Sequence, residues 1–163
     1  LGVRRQRQMC IRDRLKGIET LELRVNHQTN SAKKIVKYLK QSTKIGRIYY
    51  PTDSGFRQKR ITKKQMIDGG SIISFELKSL KEKEKQVAFS FLNKLKLIEI
   101  SNNLGDSKTL ITHPYTTTHH KLTSDEKISL RITKNLVRLS VGLEDSVDII
   151  EDIDNSLKKA KKK

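Results

Sequence analysis

One arginine sits where a charge is hard to place. The run Leu136-Val137-Arg138-Leu139-Ser140-Val141 is apolar and β-prone, with Arg138 in its middle. A guanidinium in such a run is costly to bury without a partner. The residues alone allow two readings. In the first, Arg138 lies on an edge strand and faces solvent or pairs with a structural acid such as Glu144. In the second, it clamps a carboxylate through two parallel hydrogen bonds, which a planar guanidinium does better than a lysine. Asn103-Leu104-Gly105 lies 35 residues upstream of Arg138. Asn and Gly favour turns, and the Asn amide can donate to an anion. His113, His119 and His120 have no Cys or acid at ligand spacing, so no metal site is expected.

Hydropathy patterning sets the elements that must position these groups. Ile35, Val36 and Leu39 fall at helical spacing. Ala32 and, upstream, Leu21, Leu23 and Val25 extend the stripe, so the spacing predicts one amphipathic helix over residues 20–41. Ile45 to Tyr50 reads as a short strand stopped by Pro51, and Thr52 to Gly55 as a turn. After Gly69-Gly70, Ile73, Phe75 and Leu77 alternate with Ser74 and Glu76, the pattern of a half-buried strand. Val87, Phe91, Leu92 and Leu95 predict a helix over 82–95. Ile98 to Ser101, Thr109 to Thr112 and Leu136 to Val141 read as strands. Thr123-Ser124-Asp125-Glu126 is a helix start. Residues 146–159 carry Val147, Ile149, Ile150, Ile153 and Leu157 on one face, with Asp148, Glu151 and Asp152 early and lysines late, as the helix dipole favours. Helices alternating with strands predict an α/β (α+β) fold, a small sheet with helices packed on it.

The chain has 163 residues, enough for one domain with a sizeable core. Its formal net charge of +17 would by itself suggest a nucleic acid or an anionic surface as partner. Against this, 24 of the 35 basic residues are lysines scattered along the chain. Four Phe, four Tyr and no Trp make poor stacking platforms. A nucleic-acid partner is therefore disfavoured. No stretch approaches the ~20 apolar residues of a membrane span, so no membrane partner is expected. The single cysteine, Cys10, leaves no internal disulfide and fits a reducing cytoplasm. Val3 to Arg14 holds five of the eleven arginines and shows no apolar period. Residues 1–14 are expected to be a non-native or artefactual basic segment, 15–160 the domain, and 161–163 a lysine tail.

Four blocks then fall in a telling order: Asn102-Asn103-Leu104-Gly105-Asp106-Ser107, Thr109-Leu110-Ile111-Thr112-His113-Pro114, Thr116-Thr117-Thr118-His119, and Leu136-Val137-Arg138-Leu139-Ser140-Val141-Gly142-Leu143-Glu144-Asp145. Together they resemble the C-terminal domain of the cystathionine γ-synthase-like enzymes of Cys/Met metabolism, pyridoxal-phosphate-dependent enzymes of fold type I. Within that family the likeness is greatest to the O-succinyl- and O-acetylhomoserine sulfhydrylases. The resemblance covers roughly Gly17 to Ala160. Leu23-Arg24, Tyr50-Pro51, Gln65 and Gly69-Gly70 also fit it. The chain departs at Asn103, where many relatives carry Ser, at Tyr115, where a small residue is usual, and at Phe56-Arg57, where His-Pro is usual.

The resemblance implies that Arg138 holds the α-carboxylate of an amino-acid substrate. It places Asn103 against that carboxylate and the cofactor, and makes His113-Pro114 a mainly structural loop closing over the site. It implies γ-replacement on an O-acylhomoserine, giving homocysteine or cystathionine, in a cytoplasmic parent enzyme that is a homotetramer. Pyridoxal 5'-phosphate would be bound mainly by an N-terminal domain that this chain lacks. No Ser-X-Thr-Lys context and no Gly-rich phosphate loop occur, so neither catalytic nor cofactor-binding residues are expected here. The chain alone is expected to be inactive. Two alternatives remain: a γ- or β-lyase of the same family, and a basic nucleic-acid-associated module.

Overall fold

The computed structural model describes residues 2–160. Leu1 and residues 161–163, the expected lysine tail, lie outside them. The elements in chain order are α1 (Gly2–Glu19), α2 (Leu21–Gln41), β1 (Ile45–Tyr49), α3 (Lys59–Gln65), β2 (Ile72–Leu77), α4 (Glu84–Leu92), β3 (Glu99–Ile100), β4 (Leu110–Thr112), α5 (Ser124–Ser129), β5 (Leu136–Ser140) and α6 (Ser146–Lys159). The strands form one sheet in the order β1-β2-β5-β4-β3. Every pairing is antiparallel except β3 with β4.

Strand alternation decides which face is dry. Ile73, Phe75 and Leu77 of β2 are buried while the residues between them are half-buried. Val137 and Leu139 of β5 and Ile111 of β4 share the dry face, since Phe75 pairs with Val137 and Ile111 with Leu139. Helices α2, α4 and α6 cover this face. Ala32, Ile35, Val36 and Leu39 of α2 and Ile149, Ile153 and Leu157 of α6 complete the core. Each fully buried aliphatic side chain contributes about 1.5–3 kcal/mol. Phe75 and Phe91 meet edge to face at 6.1 Å.

Several expectations need correction. Leu21, Leu23 and Val25 are exposed, so the buried stripe of α2 starts only at Gln28. Val147 is also exposed, although it lies beside the apolar face of α6. The fourth helix is shorter than its apolar pattern, and Leu95 packs from the loop after it. Most of the basic stretch expected to be non-native lies within α1, which leaves that expectation untouched. Arg24 anchors the break between α1 and α2, its Nη2 donating to the Gly17 carbonyl and its Nε to Thr20 Oγ1. Helix α3 had no sequence signature.

The second sheet face carries Ser74, Arg138 and Thr112, paired across β2, β5 and β4. The candidate site is on this face.

Candidate functional site

Arg138 occupies the middle strand of the sheet, so the edge-strand reading is wrong. Glu144 is not its partner either: that carboxylate accepts from Thr109 N and Thr109 Oγ1, both at 2.7 Å. Arg138 Nη2 donates instead to the backbone carbonyl of Asn102 at 3.2 Å. Its Nε is buried with no hydrogen-bond partner. Burial alone lowers the guanidinium pKa, with no nearby carboxylate to offset it. An arginine remains protonated regardless. The site is thus a fixed positive charge with an unused, water-shielded donor.

The Asn102–Asn103 loop is held against Arg138 by the residues just after it in β5. Ser140 Oγ accepts from Gly105 N at 3.0 Å. Leu143 N donates to the Ser107 carbonyl at 2.7 Å, and Gly142 N donates to Thr109 Oγ1 at 2.9 Å. A Cβ on Gly142 would lie 2.4 Å from Ser107 O and the Lys108 carbonyl carbon, so only glycine permits this approach. From α2, Gln28 Nε2 donates to the Asp106 carbonyl at 2.8 Å. The Ser140-Val141-Gly142-Leu143-Glu144 block, which begins two residues after Arg138, therefore sets the loop that meets it. Glu144, one candidate partner for Arg138 on sequence, holds Thr109 instead. The Ser-Val-Gly-Leu-Glu spacing was the visible signal, but its partner lay over thirty residues upstream.

The structure brings the loop containing Asn103 to Arg138, in contact through Asn102. The Asn103 side chain is exposed, and its backbone N donates to Ser101 Oγ at 3.3 Å. Asn102 also accepts through Oδ1 from Thr112 Oγ1 at 2.7 Å. Thr117 Oγ1 lies 3.0 Å from Thr112 Oγ1. The threonine-rich segment thus braces the loop from the β4 side.

His113 is buried, with Nε2 2.8 Å from the Lys134 carbonyl and Nδ1 2.8 Å from Thr116 Oγ1. The carbonyl can only accept, so Nε2 carries the proton and Nδ1 accepts from the threonine. Desolvation pulls its pKa down, and Lys85 adds to the effect. His119 and His120 bond locally to Thr118 Oγ1 and the Thr117 carbonyl. Gly69 packs on the Tyr50 ring, whose hydroxyl donates to the Gly70 carbonyl at 2.9 Å. That contact fixes the entry into β2. No group of three His, Cys, Asp or Glu suited to a metal occurs among the described residues.

The arrangement leaves the Nε donor of Arg138 free beside a fixed Nη2. Glu76, an acid on the same sheet face, is held by the Tyr49 hydroxyl at 2.8 Å.

Comparison with known proteins places the chain in a family. The O-succinylhomoserine sulfhydrylase of Mycobacterium tuberculosis is 43% identical over 143 residues, which are 88% of this chain and 35% of that protein. An L-methionine gamma-lyase of Fusobacterium nucleatum subsp. polymorphum is 44% identical over 145 residues, 89% of this chain and 36% of that protein. The crystal structure of a putative O-acetylhomoserine (thiol)-lyase from Campylobacter jejuni, which contains N'-pyridoxyl-lysine-5'-monophosphate, superposes with a TM-score of 0.82 at 34% identity. It covers 88% of this chain and 34% of that one. The chain spans about a third of the length of these relatives. The model of the Cys/Met metabolism PLP-dependent enzymes matches residues 13–158. With that match over most of its length, the chain belongs to the family of pyridoxal-phosphate-dependent enzymes of Cys/Met metabolism.

Proposed function

We propose that this chain supplies the substrate-carboxylate clamp of an enzyme that performs γ-replacement on an O-acylhomoserine, yielding homocysteine or cystathionine. The observation that carries the proposal is the buried, unpartnered Nε of Arg138 beside an Nη2 already fixed by Asn102. A carboxylate placed there would satisfy Nε and share the guanidinium fork. Asn103, on the same loop, would offer its side-chain amide to that carboxylate. Pyridoxal phosphate, when bound, supplies an electron sink for the chemistry at the amino-acid carbons. This chain binds and orients: Arg138 fixes the α-carboxylate, and the loop held by Ser140, Gly142 and Glu144 keeps Arg138 from swinging away. The Schiff-base lysine and the phosphate cradle are assigned to the rest of the enzyme, which is read as a cytoplasmic homotetramer. The likeness to methionine gamma-lyases supports a second reading, γ-elimination, in which the same clamp would act.

A chimera tests this. Residues 13–158 would replace the matching segment of the Mycobacterium tuberculosis sulfhydrylase. The chimera is expected to form homocysteine from O-succinylhomoserine and sulfide. Arg138→Ala should lower kcat/KM by about 10–100-fold or more, the scale of a charge-assisted pair. Unchanged kcat/KM in Arg138→Ala would end the clamp proposal. Turnover of methionine alone, without acylhomoserine activity, would favour the lyase reading.

A further inference from the structure

Edge strand β1 borders a groove of about 1040 Å³ that runs from the end of α2 past the 53–58 turn to Leu136 and to Ser74, the cross-strand neighbour of Arg138. Three arginines from three separate segments line it: Arg47 on β1, Arg57 in the turn and Arg131 after α5. Lys40 and Asp53 also line it and pair with each other, and Glu76 lies near Arg47, so the uncancelled guanidiniums are those of Arg57 and Arg131. Among the described residues the Arg57 and Arg131 side chains take part in no hydrogen bond or ion pair. Arg47 lies near the Tyr49 hydroxyl and near the Glu76 carboxylate to which that hydroxyl donates.

The backbone under two of these arginines is irregular. Arg131 has φ 58, the one non-glycine residue with positive φ among those described. It ends α5 in a complete Schellman turn: Arg131 N donates to Ile128 O at 3.0 Å, and Ile132 N to Lys127 O at 2.8 Å. That position favours glycine. An arginine there is held at a backbone cost, and its side chain lines the groove. Such an outlier points toward function. Arg47 lies where the β1–β2 register slips between Ile45 and Ile48. A slip of this kind re-aims a side chain.

From this convergence we infer that the groove, which adjoins the Arg138 site at Ser74, is a binding site for a small polyanion carrying phosphoryl groups, held by Arg47, Arg57 and Arg131 and not by Arg138. Three guanidinium forks in one concavity match oxygens on two or more linked phosphates better than a single carboxylate. Neither the family assignment nor the carboxylate clamp requires this site.

Calorimetric titration of the whole 163-residue chain with inorganic pyrophosphate, at constant ionic strength, is the test. Pyrophosphate should bind at one site. Arg57→Ser and Arg131→Gly should each weaken it by about tenfold or more. Arg131→Gly should at the same time raise the unfolding midpoint by about 2–4 °C, because glycine relieves the positive φ. Weaker binding in a more stable protein separates a binding role from a structural one. ATP as a second probe identifies the source: tighter binding than pyrophosphate assigns the site to a nucleotide, and equal binding to the phosphate chain alone. The inference is overturned if pyrophosphate does not bind, or if both variants bind it as the parent does, an adventitious ion only. It is also overturned if Arg131→Gly lowers the midpoint, or if Arg138→Ala abolishes binding and so places the anion at the carboxylate site.

Discussion

At Arg138, burial takes water from Nε, and no protein acceptor replaces it. A native structure seldom tolerates such a group without a use for it. His113 shows the opposite arrangement, with both ring nitrogens satisfied and the neutral form favoured by burial. This asymmetry has a pH consequence. In the unfolded chain the imidazole titrates near its ordinary value of about 6.5. In the fold its pKa is lower, so the unfolded state takes up a proton first. Stability from this residue is therefore present above about pH 6.5 and lost as pH falls from there through the folded value. Denaturant unfolding of the parent and of His113→Gln between pH 8 and 5 measures this. The parent should lose more stability than the variant across that window. Parallel losses would mean that His113 does not carry the pH dependence.

At the scale of elements, α6 does more than bury an apolar stripe. Asp152 on its middle turn accepts backbone donors from Lys96, Leu97 and Ile98 at 2.9 to 3.1 Å, so it caps the chain leading into β3. Sequence reading counted Asp152 among acids suiting the helix dipole. The dipole positions are instead Asp148 in the first turn and Asp145, whose side chain caps Val147 N at 2.9 Å. Asp152→Asn keeps the size but turns an amide toward backbone donors. It should lower stability by about 1–3 kcal/mol, read as a fall in the denaturant midpoint with the slope unchanged. An unchanged midpoint would mean that water replaces the carboxylate at no cost. The strands around Ile73, Phe75 and Leu77, the capping box of Thr123 and Glu126, and the apolar stripe of α6 were legible, because each is a local pattern. Arg138 and the Asn103 loop were legible as a resemblance. The grip of Glu144 on Thr109 and of Asp152 on residues 96–98 was not, because such bonds join positions more than thirty residues apart. Helix α3 was missed because its seven residues, Lys59 to Gln65, bury only Thr62 and so show no apolar period.

For the molecule as a whole, charge and apolar exposure pull in opposite directions. The net charge is +17, while Ile67 is fully exposed and Ile100, Leu104 and Ile128 are more than half exposed. Apolar exposure of this kind, away from the helical layer, is what a surface shared with another protein body carries. Like charge holds copies of the chain apart when ionic strength is low, because the repulsion then reaches beyond about 10 Å. Added salt shortens that reach and leaves the apolar contacts untouched. The chain should therefore be monomeric in dilute buffer and associate as sodium chloride is raised to about 0.5 M, where the screening length is only a few ångströms. Sedimentation velocity across a salt series reads this directly. Association that is strongest at low salt and dissolves at high salt would reverse the assignment, because ion pairs would then be holding the copies together. The same series with a single-stranded oligonucleotide weighs the nucleic-acid alternative. A contiguous basic face would bind it with affinity falling steeply with salt. Lysines spread over the whole surface, with few aromatics to stack on bases, should give only weak binding that disappears near physiological ionic strength.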